Sequence, residues 1–141
     1  MSEIAMPDKL ESRHLFDIGL RLRPPYQIGE TPAGDRNVVT IASGSFSGER
    51  LRGSIVPEAC SDLLLRRADG TFRQDVRLLL RTHDEALIVM TYAGVRNGDY
   101  FRVVPFFETG ATQYAWLNDI VCVATGSRKV DSTAYRVFEI L

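Results

Sequence analysis

The sequence predicts an all-β fold: one antiparallel barrel of about eight to nine strands. Three observations lead there. Apolar residues recur with a period of two, turn-forming dipeptides punctuate the chain at short intervals, and no long segment carries apolar positions at helical spacing. Antiparallel strands in this number curl into a barrel because closure removes exposed edges. A closed barrel of about eight strands can enclose one small ligand.

The elements follow in order. Residues 1–12 are polar and read as a flexible tail, leaving 13–141 as a single barrel domain. From Arg13 onward Phe16, Ile18, Leu20 and Leu22 share one face of a strand, with Asp17, Gly19 and Arg21 on the other. The prolines and glycines of RPPYQIGETPAGDRN predict a long irregular connection. VVTIASGSFSGERLRGSIVP predicts two short strands around a glycine-rich bend. After EACSDLLLRR, Asp69-Gly70 marks a hairpin leading into TFRQDVRLLLRT, where Val76, Leu78 and Leu80 oppose Arg73, Asp75, Arg77 and Arg81. ALIVMTYAGV is apolar on both faces, as in a strand covered on both sides, and a subunit partner could supply the outer cover. Asn97-Gly98 makes a second hairpin turn into YFRVVPFFETG. QYAWLN reads either as a resumed strand or as a helical turn capping the barrel, and DIVCVATG and STAYRVFEIL close the sheet.

Bulk composition excludes several classes of function. The 141 residues carry a net charge of −1, without the basic footprint that nucleic acid demands. No apolar run is long enough to cross a bilayer, and MSEIAMPDKLESR lacks the apolar core of a signal peptide. Cys60 and Cys122 lie far apart in apolar surroundings, as reduced thiols do, so a cytoplasmic location is expected. No cofactor is expected, because dinucleotide fingerprints are missing and the centre of G-x-S-x-G is occupied by Phe46. Neither His14 nor His83 has partners at a recognised metal-ligand spacing.

Several segments in order resemble a known family: TPAGDR, SGSFSGERLRG, RADG, YFRVVPFFETG and YAWLN. They are similar to the proteins grouped as domain of unknown function 3237, from about Leu15 to the C-terminus, with FETG and YAWLN the most specific pair. Ser43 stands where a second glycine is typical, and the segment between Gly94 and Tyr100 is shortened. The resemblance implies an antiparallel barrel, lipocalin-like or allene-oxide-cyclase-like in general architecture. It implies no catalytic residues.

Candidate chemistry lies where rings and charges mix. In Tyr100–Glu108 one face carries Tyr100, Arg102, Val104, Phe106 and Glu108, and the other is wholly apolar. Aromatic area with a few polar groups is what a ligand pocket offers. Asp75 and Arg77 come from a neighbouring strand, Tyr92 from across the Asn97-Gly98 hairpin beside Tyr100 or Arg102, and Tyr114, Trp116 and Asn118 from the next segment. Glu108 and Asp75 are the expected acid–base pair, Arg77 and Arg102 the anion holders, and the rings with Asn118 the binding surface. Charged residues on one strand face also suit a solvated exterior. The expected function is therefore a barrel that binds a small molecule, with three forms open. It is a cofactor-independent isomerase, cyclase or lyase acting by proton transfer on an organic acid or aromatic or polyketide-like metabolite, or a noncatalytic carrier or sensor, or a homo-oligomeric assembly module.

Overall fold

The computed structural model describes residues 3–141, so Met1 and Ser2 of the expected tail lie outside the described residues. Ten strands follow one another: β1 (Ser12–Leu22), β2 (Tyr26–Thr31), β3 (Gly34–Ser47), β4 (Arg52–Ile55) and β5 (Ser61–Arg66), then β6 (Phe72–Thr82), β7 (Leu87–Asn97), β8 (Tyr100–Glu108), β9 (Cys122–Arg128) and β10 (Ser132–Ile140). Two 3-10 segments, Pro57–Ala59 and Thr112–Asp119, complete the described regular structure. Pairing is antiparallel throughout, and β10 returns to β1 to close an eight-strand barrel. Two positions in that barrel are interrupted strands. β1 and β2 both lie along β3, and β4 and β5 both lie between β3 and β6. The result is an up-and-down meander.

Prolines accompany both interruptions. Pro24 and Pro25 have no N–H to place in a ladder. The β1–β10 register accordingly ends at Arg21↔Ser132, and β2 resumes pairing on β3 alone, from Tyr26↔Val38. Just before the break, Leu22 N–H donates to the Asp131 carbonyl at 2.8 Å. Pro57 opens the short 3-10 turn that separates β4 from β5. The sequence reading expected one irregular connection over residues 23–37, whereas most of it is β2, a turn and the start of β3. Side chains of β2 are exposed on both faces, so the strand leaves no period-two signal.

Inside the barrel the apolar stripes meet. Phe16, Ile18 and Leu20 of β1, Val76, Leu78 and Leu80 of β6, Ile88 and Met90 of β7, and Phe101, Val103, Pro105 and Phe107 of β8 are all buried. Each such side chain removed from water contributes roughly 1.5–3 kcal/mol. Phe16 stacks on Phe46 and Phe107, at 5.4 and 5.8 Å between centroids, towards the end where the chain termini lie.

That end is plugged. The Thr112–Asp119 turn buries Tyr114 and Leu117 in the core, which decides the QYAWLN question in favour of the capping turn. Asn118 clamps Thr109 from both sides, its Oδ1 accepting the Thr109 N–H at 2.8 Å and its Nδ2 donating to the Thr109 carbonyl at 3.0 Å. The Tyr114 hydroxyl donates to Asp84 Oδ1 at 2.8 Å, and the Thr82 hydroxyl donates to the same oxygen. Outside, Val89, Val104 and Phe106 remain 38%, 43% and 52% exposed in the single chain.

Tight backbone contact fixes the β7–β8 seam. A Cβ on Gly94 would lie 2.1 Å from the Arg102 carbonyl oxygen, and one on Gly126 would meet the Phe101 ring at 2.7 Å. Gly94→Ala is expected to destabilise the protein by about 3 kcal/mol, because the clash is with backbone and cannot relax by a rotamer change. Gly110→Ala, where a Cβ meets nothing within 4 Å, is the control and should be near neutral in the same urea titration. Equal effects would show that the β7–β8 approach is not limiting.

Candidate functional site

At the end opposite the plug, polar residues continue the apolar inward stripes. Asp62 of β5 pairs with Val39 and Val76 and faces inward with them. Gln74 extends the stripe of Val76, Leu78 and Leu80, Arg96 that of Ile88, Met90 and Tyr92, and Arg128 that of Cys122 and Ala124. With Tyr135 and Phe101 they surround an interior space of about 30 Å³, room for about one or two waters. Leu22, Val39, Leu64 and Arg128 line both this space and a cleft of about 640 Å³ beside Pro24 and Pro25. The proline break and the mouth of the barrel are therefore one feature.

The groups at this mouth are poised rather than neutralised. Burial raises the Asp62 carboxyl to about 6, opposed by the Asp75 N–H, which donates to Oδ1 at 3.1 Å, and by the more distant Arg128 and Arg36. The rings of Tyr92 and Tyr135 meet edge to face at 5.0 Å. Burial pushes both phenols upward, and the charge of Asp62 adds to the effect, so both stay protonated donors. The Arg96 guanidinium lies 4.1 Å from the Phe72 ring centroid, and burial followed by the like charge of Arg128 lowers its pKa. Among the described residues the ion pairs join Arg13 and Arg50 to Glu139, and His14 and Arg136 to Asp17. None uses Arg96, Arg128 or Asp62.

Gln74 stands out by hydrogen-bond accounting. It is 4% exposed, and its Oε1 is the one buried side-chain oxygen or nitrogen among the described residues without a partner. An unsatisfied buried acceptor costs about 1–3 kcal/mol. Native structures keep few of them, and a ligand is one reason to do so.

The residues singled out in the sequence fall elsewhere, with one exception. Tyr92 lines the interior, but its β-partner is Pro105, not Tyr100 or Arg102, because the hairpin pairs Asn97 with Tyr100. The face carrying Tyr100, Val104, Phe106 and Glu108 is the outer wall, and the wholly apolar face of β8 looks inward. Glu108 is exposed, and Arg102 lies outside over the Tyr100 ring at 4.6 Å. Asp75 and Arg77 are exposed on the outer wall of β6. Tyr114, Trp116 and Asn118 belong to the plug, with the Arg50 guanidinium 3.5 Å from the Trp116 centroid. The structure thus does not bring Glu108, Asp75, Arg77 and Arg102 together in one mouth. Asp62, Gln74, Arg96, Arg128 and Tyr135 were missed. Their signal is a polar residue continuing an apolar stripe, not membership of a polar face.

Other concavities offer less directed chemistry. An open groove of about 710 Å³ on the outer wall is lined by small residues such as Gly19, Ser43, Gly44 and Ser45, with the exposed Arg21, Lys129 and Asp131 beside them. Among the described residues no group of three or more His, Cys, Asp or Glu could hold a metal ion, and no helix is long and apolar enough to cross a membrane.

Comparison with known proteins places the chain. The family model described as "Protein of unknown function (DUF3237)" matches residues 10–140. The chain belongs to this family. A UPF0311 protein of Rhodopseudomonas palustris is 26% identical, over 96% of this chain and 100% of its own length. A β-barrel-like protein from Acinetobacter baumannii AYE superposes with a TM-score of 0.91 at 27% identity, covering 96% of this chain and 99% of the other. The hydroalkoxylation enzyme phnH of Penicillium herquei is 30% identical over 84% of this chain and 74% of its own length. The barrel expected from the sequence is thus shared by a solved relative, and one relative bears the name of an enzyme.

The raised Asp62 pKa has a consequence for stability. The folded state holds this proton more tightly than the unfolded chain, so the folded state is favoured most at low pH and loses that advantage as pH rises from the ordinary carboxyl range through about 6. Asp62→Asn should therefore raise stability at pH 7 by up to about 2 kcal/mol and leave it nearly unchanged near pH 3.5. Urea titrations at the two pH values measure this. A variant less stable than wild type at pH 7 would show that Asp62 is a satisfied structural carboxylate.

Proposed function

We propose that this protein is a small-molecule-binding barrel that catalyses cofactor-independent proton transfer at its open end. The carrying observation is Asp62, an inward carboxyl raised to about 6 beside two protonated phenols and two guanidiniums without ion-pair partners. A carboxyl in that range exists in both forms near neutrality and can take a proton and return it. Tyr92 and Tyr135 donate hydrogen bonds to an oxygen on which charge develops. Arg96 and Arg128 hold an anionic group of an organic acid at the mouth. Apolar side chains around the space keep bulk water from levelling these charges.

The name of the Penicillium relative supports this reaction class. Hydroalkoxylation adds an alcohol O–H across a carbon–carbon double bond, so one proton leaves oxygen and one reaches carbon. A single acid–base carboxyl with neighbouring donors suffices for that balance. Isomerisation, cyclisation and lyase steps on enolisable acids make the same demand.

The test follows carbon-bound deuterium. Unsaturated alcohols, unsaturated phenols and enolisable keto acids are incubated in D₂O with wild type, and new C–D bonds are read by NMR and mass spectrometry. Wild type should deuterate members of the panel, Asp62→Asn should be slower by about 10²-fold or more, and Glu108→Gln should match wild type. Equal loss in both variants, or none in Asp62→Asn, would contradict the assignment. Binding without any C–D bond formation would make the protein a carrier instead.

A further inference from the structure

We infer that Gln74 selects the ligand by a hydroxyl group, so that the ligand is an organic anion carrying a hydroxyl at the end remote from its charge. This rests on the open-end site proposed above and adds what that site reads. Two observations on the molecule converge. Gln74 lines the interior space of about 30 Å³ while its Oε1 is buried and accepts no hydrogen bond. The same space is flanked at its outer side by Arg96 and Arg128, which form no ion pair among the described residues.

The dimensions assign the parts of the ligand. A space of about 30 Å³ takes only a group of about one or two waters' size, whereas the body of an organic molecule has to occupy the cleft of about 640 Å³ outside. The group that enters meets an amide whose Oε1 needs a donor and whose Nε2 makes no hydrogen bond among the described residues, so a group that both donates and accepts fits it better than an ether, a halide or a carboxylate. A hydroxyl satisfies Gln74 as donor and accepts from the tyrosine pair in return. The last torsion of a glutamine side chain is soft, so a small turn of the amide suffices to bring Oε1 to it. At the other end of the ligand, guanidiniums present paired N–H donors suited to a carboxylate. A site built to pair a hydroxyl discriminates against the analogue without one, since the buried acceptor is then left unpaired.

Calorimetric titration of the full chain with matched carboxylates tests this: benzoate and 4-hydroxybenzoate, phenylacetate and 4-hydroxyphenylacetate, hexanoate and 6-hydroxyhexanoate. Wild type should bind the hydroxylated member about tenfold more tightly in at least one pair. Gln74→Met, close in size and without the amide, should reduce that ratio to about one while keeping affinity for the unhydroxylated member within about twofold. Its melting temperature, at or above that of wild type, shows that it is folded, and Gln74→Leu repeats the comparison with a second side chain. Carboxylates that bind through Arg96 and Arg128 without a hydroxyl preference, or a preference that survives both variants, would overturn the role of Gln74 and leave the proton-transfer site standing. If no carboxylate binds, or if Arg96→Met and Arg128→Met leave binding untouched, the anion-holding mouth falls too, and the role of Gln74 with it.

Discussion

Two adjacent residues without a backbone N–H, Pro24 and Pro25, set a limit on how completely this sheet can zip itself shut. A meander of antiparallel strands gains most by pairing every edge, and β1 runs against β10 until the prolines arrive. Past them the chain keeps its hold on β3 but not on β10, and the wall parts into a cleft. The opposite end has no such gap. There a 3-10 turn, held by the Asn118–Thr109 clamp and the Tyr114–Asp84 hydrogen bond, lies over a core of phenylalanines. One end is therefore devoted to burial and the other is left open to chemistry.

Polar groups facing into an otherwise apolar barrel are expensive, and this protein places several in one layer. Asp62 keeps a single backbone hydrogen bond and lacks an ion pair, Gln74 leaves an acceptor without a donor, and two arginines crowd each other. Gln74 departs outright from the rule that buried polar groups are satisfied, while Asp62 and Arg96 are half-buried beside it and Arg128 is exposed at the mouth. Together they form a site in which the missing partners are complementary: donors wait for an anion, an acceptor waits for a donor, and a carboxyl sits between its two protonation states. A structural ion-pair network would have neutralised itself, as Arg13, Arg50 and Glu139 do at the plugged end.

The architecture was legible in the sequence because period-two stripes and the Asp69-Gly70 and Asn97-Gly98 turns are local signals, and the family segments reinforced them. Strand β2 was not, since both of its faces are exposed and only its partner defines it. The mixed face of β8 lies outside the barrel for a physical reason. Arg102 and Glu108 share a strand face with rings, which resembles a pocket lining, yet a barrel strand shows its mixed face to solvent and its uniform face to the core. FETG and YAWLN, the most specific segments, prove to be plug chemistry: Thr109 and Asn118 hold each other. Tyr92 alone of the proposed residues reaches the interior space. Finding the rest required knowing which strand ends meet at the open side, which depends on closure of β10 onto β1 and on the proline break.

The location of binding is the claim on which the other readings stand, and amide chemical-shift mapping addresses it directly. With 4-hydroxyphenylacetate added to ¹⁵N-labelled protein, perturbations should concentrate at Asp62, Gln74, Arg96 and Arg128 and in the Leu22–Tyr26 break, with Thr109 to Asp119 unmoved. Perturbations gathered around Glu108, Trp116 and Asn118 instead would place the ligand at the plugged end and contradict the account.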